Sequence, residues 1–234
     1  MLYNVRYLKM RIQKDKILED YARRAPEYER IYHRSARQED LRKIERVIGE
    51  IFQGLDVLEV ACGTGYWTQF AAKGARSILA TDYTSEVLKI AQTKDYGKCK
   101  VNFVKADAYS LNEVTRLYSA GLVCLWWSHI AKTDLPLFLN AFHSKLEYRS
   151  PVVVLDTQNV EGYARPIFRI DEEGNTYQVR DLPDGSLYEV LKNFPNELEF
   201  KKFLSGYASD IEFVQHPYFW LAQYKVLKTP NKVI

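Results

Sequence analysis

The chain has 234 residues, of which 47% are hydrophobic and 27% are charged, with 11 Gly and 8 Pro. This length suits one domain with a sizeable buried core, and the composition excludes collagenous, disordered and low-complexity classes. The formal net charge is only +3, and its basic excess lies in the first 46 residues. Because acidic residues are interspersed there, we expect a solvated helical face rather than a surface for nucleic acid.

The cysteines and the first residues indicate in which cellular compartment the protein is expected. Cys62, Cys99 and Cys124 lie far apart with no CxxC spacing, so neither a disulfide framework nor a zinc site is expected. The start of the chain lacks the apolar stretch of a signal peptide, and no run of 18 apolar residues follows. These features predict a cytoplasmic protein without a membrane partner.

The first predicted elements are helical. Residues 1–34 form an irregular stretch rich in Tyr and Arg. An amphipathic helix follows, with apolar residues at helical spacing from Leu41 to Phe52. The sequence SARQ (35–38) has the pattern of a capping box at its start, and Gly54 ends it.

Apolar runs then alternate with amphipathic segments. The runs predicted as strands are 56–61, 77–82, 101–107, 121–127 and 151–156. The helices predicted between them are 66–74, one after Thr84, one from a capping box at Ser110 and one from Thr133 or Asp134. Continuous Val, Ile and Leu runs alternating with such helices indicate a parallel sheet covered on both faces.

The pattern changes after residue 156. TYQVR (176–180) and SLYEVL (186–191) flank a turn at 183–185 and predict a hairpin. We expect the segment 160–193 to be an insertion over the ligand edge of the sheet. The last predicted elements are a helix beginning near Asn196 and two strands near 211–216 and 218–227.

The stretch VLEVACGTGYWT (57–68) joins a strand to a helix through a turn with two glycines, Gly63 and Gly65. Asp82 ends the next strand 17 positions later, where a carboxylate can accept both hydroxyls of a ribose. Either a nicotinamide dinucleotide or an adenosyl ligand fits these features. Glu59 distinguishes them, because a carboxylate just before the glycines repels a pyrophosphate and favours an ammonium group.

Two phosphate-binding patterns are also absent from this stretch. Thr68 stands where the dinucleotide pattern GxGxxG requires a third glycine or an alanine. A P-loop would need GK[ST] after its second glycine, and the sequence there is GYW. The turn therefore favours a ligand without a phosphate.

VLEVACGTGYWT, LATDYTSEVLKIA and NFVKADAYSL, in this order, resemble the motif series of class I S-adenosylmethionine-dependent methyltransferases. The resemblance covers about residues 35–156, and three ordered motifs are more specific than one. It implies a Rossmann-like, doubly wound α/β fold with a mostly parallel seven-stranded sheet and an antiparallel last strand. We expect a single methyltransferase domain over 1–234, with 1–34 as a helical lid and 160–193 as a hairpin insertion after the fifth strand.

The same resemblance implies roles for residues at the strand ends. Glu59, Gly63 and Gly65 would hold the methionyl end of S-adenosylmethionine. Asp82 would bind the ribose hydroxyls. The other cofactor-binding candidates are Tyr28 in the N-terminal arm, Ala61 in the turn, Tyr83 beside the adenine, Asp107 and Ala108 at the adenine edge, and Trp126. Ala61 replaces the first glycine of the family's GxGxG, which is tolerable if no tight backbone approach is needed there.

Aromatic residues in two places have alternative interpretations. Tyr21, Tyr28 and Tyr32 resemble the N-terminal lid tyrosines of members that act on small molecules. Their alternative is a helix that packs its aromatic face on the sheet. Trp126 and Trp127 are expected to separate by strand alternation, one toward the adenosyl site and one toward the core.

The chemistry expected of such a site is an in-line displacement, for which the enzyme aligns the acceptor and excludes water. A base is needed only if the acceptor arrives protonated. His129, in LWWSHI after the fourth strand, is the catalytic candidate for that base. The alternative is a histidine that only hydrogen bonds to nearby backbone.

Several subclasses are disfavoured. The string after the fourth strand is LWWSHI rather than [DN]PP[YF], the pattern of base-modifying amino methyltransferases. Only Asp156 and Asn159 follow the fifth strand as possible ligands, so no metal is expected. A methyltransferase acting on N or O of a small-molecule acceptor remains, with no nucleic acid partner. The alternative is an inactive cofactor-binding scaffold or regulator.

The insertion contains four residues that could meet an acidic acceptor: Arg165, Arg169, Tyr177 and Arg180. The alternative is a solvated, charged hairpin.

Overall fold

The structure is a computed structural model and describes residues 25–181, 185 and 187–227. Its α-helices are α1 (Gln38–Ile51), α2 (Tyr66–Ala71), α3 (Ser85–Ala91), α4 (Leu135–His143) and α5 (Glu197–Phe203). Its strands are β1 (Asp56–Val60), β2 (Ser77–Asp82), β3 (Lys100–Lys105), β4 (Ala120–Cys124), β5 (Pro151–Thr157), β6 (Arg169–Ile170), β7 (Thr176–Asp181), β8 (Leu187–Leu191), β9 (Ala208–Gln215) and β10 (Phe219–Val226). Short 3₁₀ helices cover Ala25–His33, Ser35–Arg37 and Trp127–His129.

Seven strands form one sheet in the order β3-β2-β1-β4-β5-β10-β9. β1 to β5 are parallel, and β10 runs antiparallel to both of its neighbours. The strand order reverses between β1 and β4, and ligands of such sheets bind at the carboxyl ends of the strands beside this reversal. The Rossmann-like, doubly wound fold predicted from the sequence is confirmed.

The central strands are buried because both faces of the sheet are covered. β4 is buried along its whole length, as its run of small and aliphatic residues predicts. On one face, Leu41, Ile44 and Ile48 of α1 pack in a cluster with α2 and α3. On the other, Phe138 and Phe142 of α4 pack in a cluster that includes α5 and β10. Each large apolar side chain buried in this way contributes roughly 1.5–3 kcal/mol.

Three local predictions differ from the structure. The predicted capping box at Ser35 is not formed; a 3₁₀ turn stands there, and the Gln38 side chain donates to the backbone oxygen of Tyr32 at 2.6 Å instead. The helix predicted from Ser110 is absent, because Leu111 has φ 48°, a left-handed conformation that interrupts a helix. The fourth strand ends at Cys124 rather than at residue 127, because Leu125 has φ 56°.

The segment after β5 carries a small sheet in the order β6-β7-β8. The predicted hairpin pairs β7 with β8 in antiparallel register, and β6 adds a third strand. Residues 183 and 184 of its predicted turn lie outside the described residues. Of the predicted helical stretch 1–34, the described part includes the 3₁₀ helix Ala25–His33. Within the described ranges, the helices are too short or too polar to cross a membrane.

Candidate active site

The turn after β1 has a backbone conformation that favours glycine. Ala61, Gly63 and Gly65 have φ values of 57°, 56° and 78°. A Cβ on Gly65 would lie 2.4 Å from the Tyr96 hydroxyl and 3.0 Å from the Cβ of Ala91, so only glycine allows this contact with α3. A Cβ on Gly63 would meet no atom within 4 Å. Gly65 therefore lets the turn pack against α3, and Gly63 leaves room for a ligand.

Glu59 is fully buried near the end of β1. Its Oε2 accepts a hydrogen bond from the Thr68 hydroxyl at 2.6 Å, whereas its Oε1 is buried with no partner among the described residues. Burial, with a smaller contribution from the charge of Asp82, raises the pKa of Glu59 to about 8. A buried acceptor without a donor is costly. The site therefore fits a ligand that brings a cationic donor to Oε1.

Asp82 joins the ends of three strands. Its Oδ2 accepts the backbone N–H of Gly63 at 2.9 Å, and its Oδ1 accepts that of Thr84 at 2.8 Å. Its backbone oxygen accepts the N–H of Ala106, after β3, at 3.0 Å. Each carboxylate oxygen retains a further lone pair. Asp82 therefore fixes the glycine turn and can still accept ligand hydroxyls.

The predicted adenine side lies at the ends of β2 and β3. Tyr83 follows Asp82 and is 49% exposed, with the Lys105 ammonium 5.6 Å from its ring centroid. Asp107 is exposed, and its Oδ1 accepts the backbone N–H of Tyr109 at 2.9 Å. Ala108, between Asp107 and Tyr109 in the chain, is half-buried. These residues are accessible at one edge of the sheet, as their positions at strand ends predict.

The two tryptophans after β4 have different surroundings. Trp127 is buried, with its ring centroid 4.7 Å from that of Phe200 in α5. Trp126 is half-buried between the rings of Tyr109, at 6.3 Å, and His129, at 6.4 Å. Its indole N–H is buried and has no partner among the described residues. A 3₁₀ turn separates the two rings rather than the predicted strand alternation, because β4 has already ended.

His129 lies in this 3₁₀ turn, and its Nδ1 is 2.8 Å from the backbone oxygen of Leu191. Because a carbonyl oxygen only accepts, Nδ1 carries the proton and Nε2 keeps a lone pair. Burial and the nearby charge of Lys192 hold the pKa of His129 well below its usual value. The ring is therefore neutral near pH 7, with a lone pair on Nε2.

A buried ion pair holds the same loop. The Lys192 ammonium donates to Asp156 Oδ1 at 2.9 Å and to Ser128 Oγ at 2.6 Å. Asp156 is fully buried, and its Oδ2 accepts the backbone N–H of Ser128 at 3.0 Å. Lys192 is a site residue that is not among the candidates expected from the sequence. A signal was present, because Lys192 follows the buried residues Tyr188 and Val190 at the spacing of one strand face.

Both carboxylate oxygens of Asp156 therefore accept hydrogen bonds from protein groups, Oδ1 from Lys192 and Oδ2 from Ser128. Within the described ranges, no group of three or more His, Cys, Asp or Glu residues could hold a metal ion.

The tyrosines of the predicted lid are described only in part. Tyr32 is buried, stacks on Tyr66 with ring centroids 3.7 Å apart, and accepts a hydrogen bond from the Trp67 indole at 2.9 Å. For Tyr32 the packing alternative therefore describes the structure better than a lid does. Tyr21 and the side chain of Tyr28 lie outside the described residues.

The N-terminal segment contacts the site through other residues. The Glu29 carboxylate accepts a hydrogen bond from the Thr64 hydroxyl in the glycine turn at 2.7 Å and pairs with the Lys94 ammonium. The Arg34 guanidinium donates to the backbone oxygen of Tyr163, in the insertion, at 3.4 Å. The segment thus bridges the turn and the insertion.

Comparison with known protein families finds a match to part of the chain. The model of the methyltransferase domain family matches residues 57–148, which contain the glycine turn, Asp82 and His129. This match spans less than half of the chain, and it shows that residues 57–148 are similar to a methyltransferase domain. No curated protein matches the sequence.

Solved structures share the fold over most of the chain. A DhpI–SAH complex superposes with a TM-score of 0.72 and 24% identity, covering 90% of this chain and 95% of that one. A DhpI–SAM–HEP complex gives 0.71 and 24%, with coverages of 90% and 96%. An S-adenosylmethionine-dependent methyltransferase from Clostridium acetobutylicum ATCC 824 gives 0.60 and 18%, with coverages of 88% and 99%. At these identities the likeness is one of fold.

Proposed function

We propose that the protein transfers a methyl group from S-adenosylmethionine to a nitrogen or oxygen atom of a small-molecule acceptor. When bound, the cofactor supplies the methyl group by in-line displacement at its sulfonium. The observation that carries this proposal is the unpaired, buried Oε1 of Glu59 beside the open glycine turn. That combination suits the ammonium of an amino-acid moiety and disfavours a diphosphate.

Residues at the ends of four strands, β1 to β4, would hold different parts of the cofactor. Glu59 Oε1 accepts the ammonium, and the open space at Gly63 admits the methionyl end. Asp82 accepts the ribose hydroxyls with its remaining lone pairs. The adenine lies among the side chains at the ends of β2, β3 and β4: Tyr83, Asp107, Ala108 and Trp126. Because Asp82 also fixes the glycine turn, its two roles support each other.

The acceptor lies beyond β4, next to His129. The hydrogen bond from Nδ1 to the Leu191 carbonyl orients the ring and leaves Nε2 to remove a proton from a hydroxyl or an ammonium. An acceptor that arrives as a hydroxyl or an ammonium needs such a step, whereas the displacement itself needs no protein nucleophile. His129 is therefore the catalytic base of this proposal.

A small acceptor is supported by the covering of this edge of the sheet. Arg34 of the N-terminal segment contacts Tyr163 of the insertion, and the end of the insertion holds the loop after β4 through Leu191 and Asn193. Two segments from distant parts of the chain thus meet above the strand ends. Such an enclosed site suits a compact molecule and excludes water from the displacement.

The test compares wild type with Glu59→Gln by calorimetry with S-adenosylmethionine, followed by turnover against a pool of small hydroxyl and amino compounds. We expect Glu59→Gln to bind the cofactor at least tenfold more weakly, since a neutral amide replaces the partner of the ammonium. Glu50→Gln, an exposed acid on α1, is the matched control and should bind normally. Equal affinity in wild type and Glu59→Gln contradicts the cofactor proposal. Binding without any turnover instead favours the scaffold alternative.

A further inference from the structure

We propose that the acceptor is an anion and that the guanidinium of Arg180, on the inner face of the insertion, binds it. This inference rests on the proposed function, because the anion occupies the acceptor side of the same site. It assigns a substrate class, a small molecule with a carboxylate or phosphate-type group.

The register of the insertion sets the position of Arg180. In the β7–β8 pair, Arg180 is opposite Tyr188 and Gln178 is opposite Val190, and directly opposed side chains share a face. Tyr188, Val190 and Gln178 are all buried. Lys192 continues the same alternation and reaches the carboxylate at the end of β5. Arg180 therefore belongs to the face that covers the main sheet.

The other two arginines of the insertion lie on its exposed side and have partners. Arg165 pairs with Asp181 at 3.4 Å. Arg169 pairs with Glu189 at 2.7 Å and stacks on Tyr177, with 3.9 Å from its guanidinium carbon to the ring centroid. Of the four residues that the sequence offers for an acidic acceptor, Arg180 alone remains without a partner in the described part of the chain.

The Nε of Arg180 is buried and makes no hydrogen bond with any described residue. No described carboxylate pairs with its guanidinium. Leaving a charged donor buried and unpaired costs free energy, and an oxyanion would remove that cost by accepting from the guanidinium fork. The charge of Arg180 also acts on Lys192 and His129, where it contributes to lowering both pKa values. Arg180 is therefore electrostatically close to the proposed base.

The charge balance around this position is positive. Asp156 faces the same group of residues, but its charge is matched by Lys192. Arg37 is 7% exposed, has an Nε without a partner among the described residues, and acts electrostatically on Lys192. Arg37 also donates to the backbone oxygen of Ile31, and the buried carboxylate of Asp40 acts on the same neighbour, Tyr218. Arg180 is therefore the cation that stays uncompensated in this part of the described chain. A covered edge with an excess of one sign of charge attracts ligands of the other sign.

The geometry of a guanidinium further limits the ligand. Its planar fork matches the two oxygens of a carboxylate or phosphate-type group, whereas a neutral hydroxyl uses only one of its donors. An acceptor with such an anionic group would be fixed by Arg180 and present its reacting atom beside His129. The shared chemistry is the oxyanion, and the probes below distinguish its two forms.

The experiment uses the full chain saturated with S-adenosylhomocysteine and titrated with inorganic phosphate or acetate by calorimetry at constant ionic strength. Wild type is compared with Arg180→Gln, Arg180→Lys and the matched outer-face control Arg169→Gln. We expect Arg180→Gln to bind the preferred anion at least tenfold more weakly, Arg180→Lys to be intermediate, and Arg169→Gln to equal wild type. The better of the two anions identifies the phosphate or the carboxylate form.

S-adenosylhomocysteine affinity, measured first for every variant, shows whether the fold and the cofactor site are intact. If Arg180→Gln loses that affinity, the comparison of Arg180→Lys with wild type decides, with about threefold weaker anion binding expected. Equal anion binding in wild type and the Arg180 variants overturns the inference. So does an absence of anion binding by protein that binds S-adenosylhomocysteine, and this outcome leaves the proposed function standing. Failure to bind the cofactor at all overturns the proposed function itself.

Discussion

The two halves of the site differ in how far apart along the chain their bonded residues lie. In the cofactor half, at the ends of β1 to β3, Glu59 bonds to a residue 9 positions away and Asp82 to one 19 positions away. In the acceptor half, His129 bonds to a residue 62 positions away and Lys192 to residues 36 and 64 positions away. The cofactor half therefore appears in the sequence as a motif, whereas the acceptor half exists only once the insertion has folded onto the sheet.

The comparison predicts that the acceptor half is the more fragile. Lys192→Met leaves the Asp156 carboxylate buried without its cation, and we expect a loss of about 3–5 kcal/mol in the free energy of unfolding. Urea denaturation measures it. The double variant Lys192→Met/Asp156→Asn removes both charges and should recover a large part of the loss. A loss below about 1 kcal/mol for the single variant would mean that the pair does not hold the two segments together.

A second test separates chemistry from binding. His129→Gln should lower kcat about a hundredfold, since it removes the general base, while the affinity for S-adenosylmethionine stays within about twofold. Because the neutral form is already dominant near pH 7, wild-type kcat should not fall between pH 8 and pH 6 through titration of this group. Single-turnover assays with the identified acceptor measure both quantities. His33→Gln, on the exposed N-terminal segment, is the control, and a similar rate loss in it would contradict the assignment.

In the cofactor half, the titration of Glu59 gives a prediction about pH. Its pKa is raised from 4.5 to about 8, so the folded protein without cofactor binds a proton that the unfolded chain releases above pH 4.5. The free energy of unfolding should therefore fall as the pH rises from about 4.5 to 8, by roughly 4 kcal/mol. Glu59→Gln should remove this slope. A slope that is unchanged in the variant would assign the titration to another group.

The same proton gives a binding signature. If the cofactor ammonium contacts Glu59, it favours the ionised carboxylate, and binding at pH 7 should release up to one proton. Calorimetry in buffers of different ionisation enthalpy counts the protons, and Glu59→Gln should release none. If wild type binds the cofactor without releasing a proton, the ammonium does not contact Glu59.

The smallest expected effect concerns Ala61. An alanine at φ 57° is strained, so Ala61→Gly should raise the free energy of unfolding by about 0.5–1 kcal/mol after the greater entropy of the unfolded glycine is subtracted. Thermal denaturation measures the change. Ala72→Gly, at φ −64°, should have the opposite sign, and destabilisation by both would show that the strain is relieved elsewhere.

Sequence alone predicts the fold well where local and long-range preferences agree. The Val, Leu and Ile runs of β1, β4 and β5 are buried on both faces, so their composition identifies them and their order implies a parallel sheet. The prediction of a helix from Ser110 is wrong. A capping-box pattern reflects only local preferences, and Leu111 adopts a left-handed backbone conformation there. The helix predicted near Asn196 is present, and a capping box formed by Asn196 and Glu199 begins it.

The same reasoning explains which site residues the sequence offers. Glu59 and Asp82 are found because each stands near the end of an apolar run. Lys192 also follows a strand, but its partner Asp156 is 36 positions away, and their contact depends on how the insertion packs on the sheet. Arg180 is identified in the sequence only as one of four candidates, and the strand register separates it from the other three.

The hydrogen bond between Glu29 and Thr64 has a consequence for the rate of the catalytic cycle. It connects the N-terminal segment to the turn proposed to hold the methionyl end, and Lys94, shortly after α3 in the chain, pairs with the same Glu29 carboxylate. A spent cofactor leaving that turn is expected to wait until these bonds open. Departure of the demethylated product, rather than transfer itself, would then limit the number of turnovers per second.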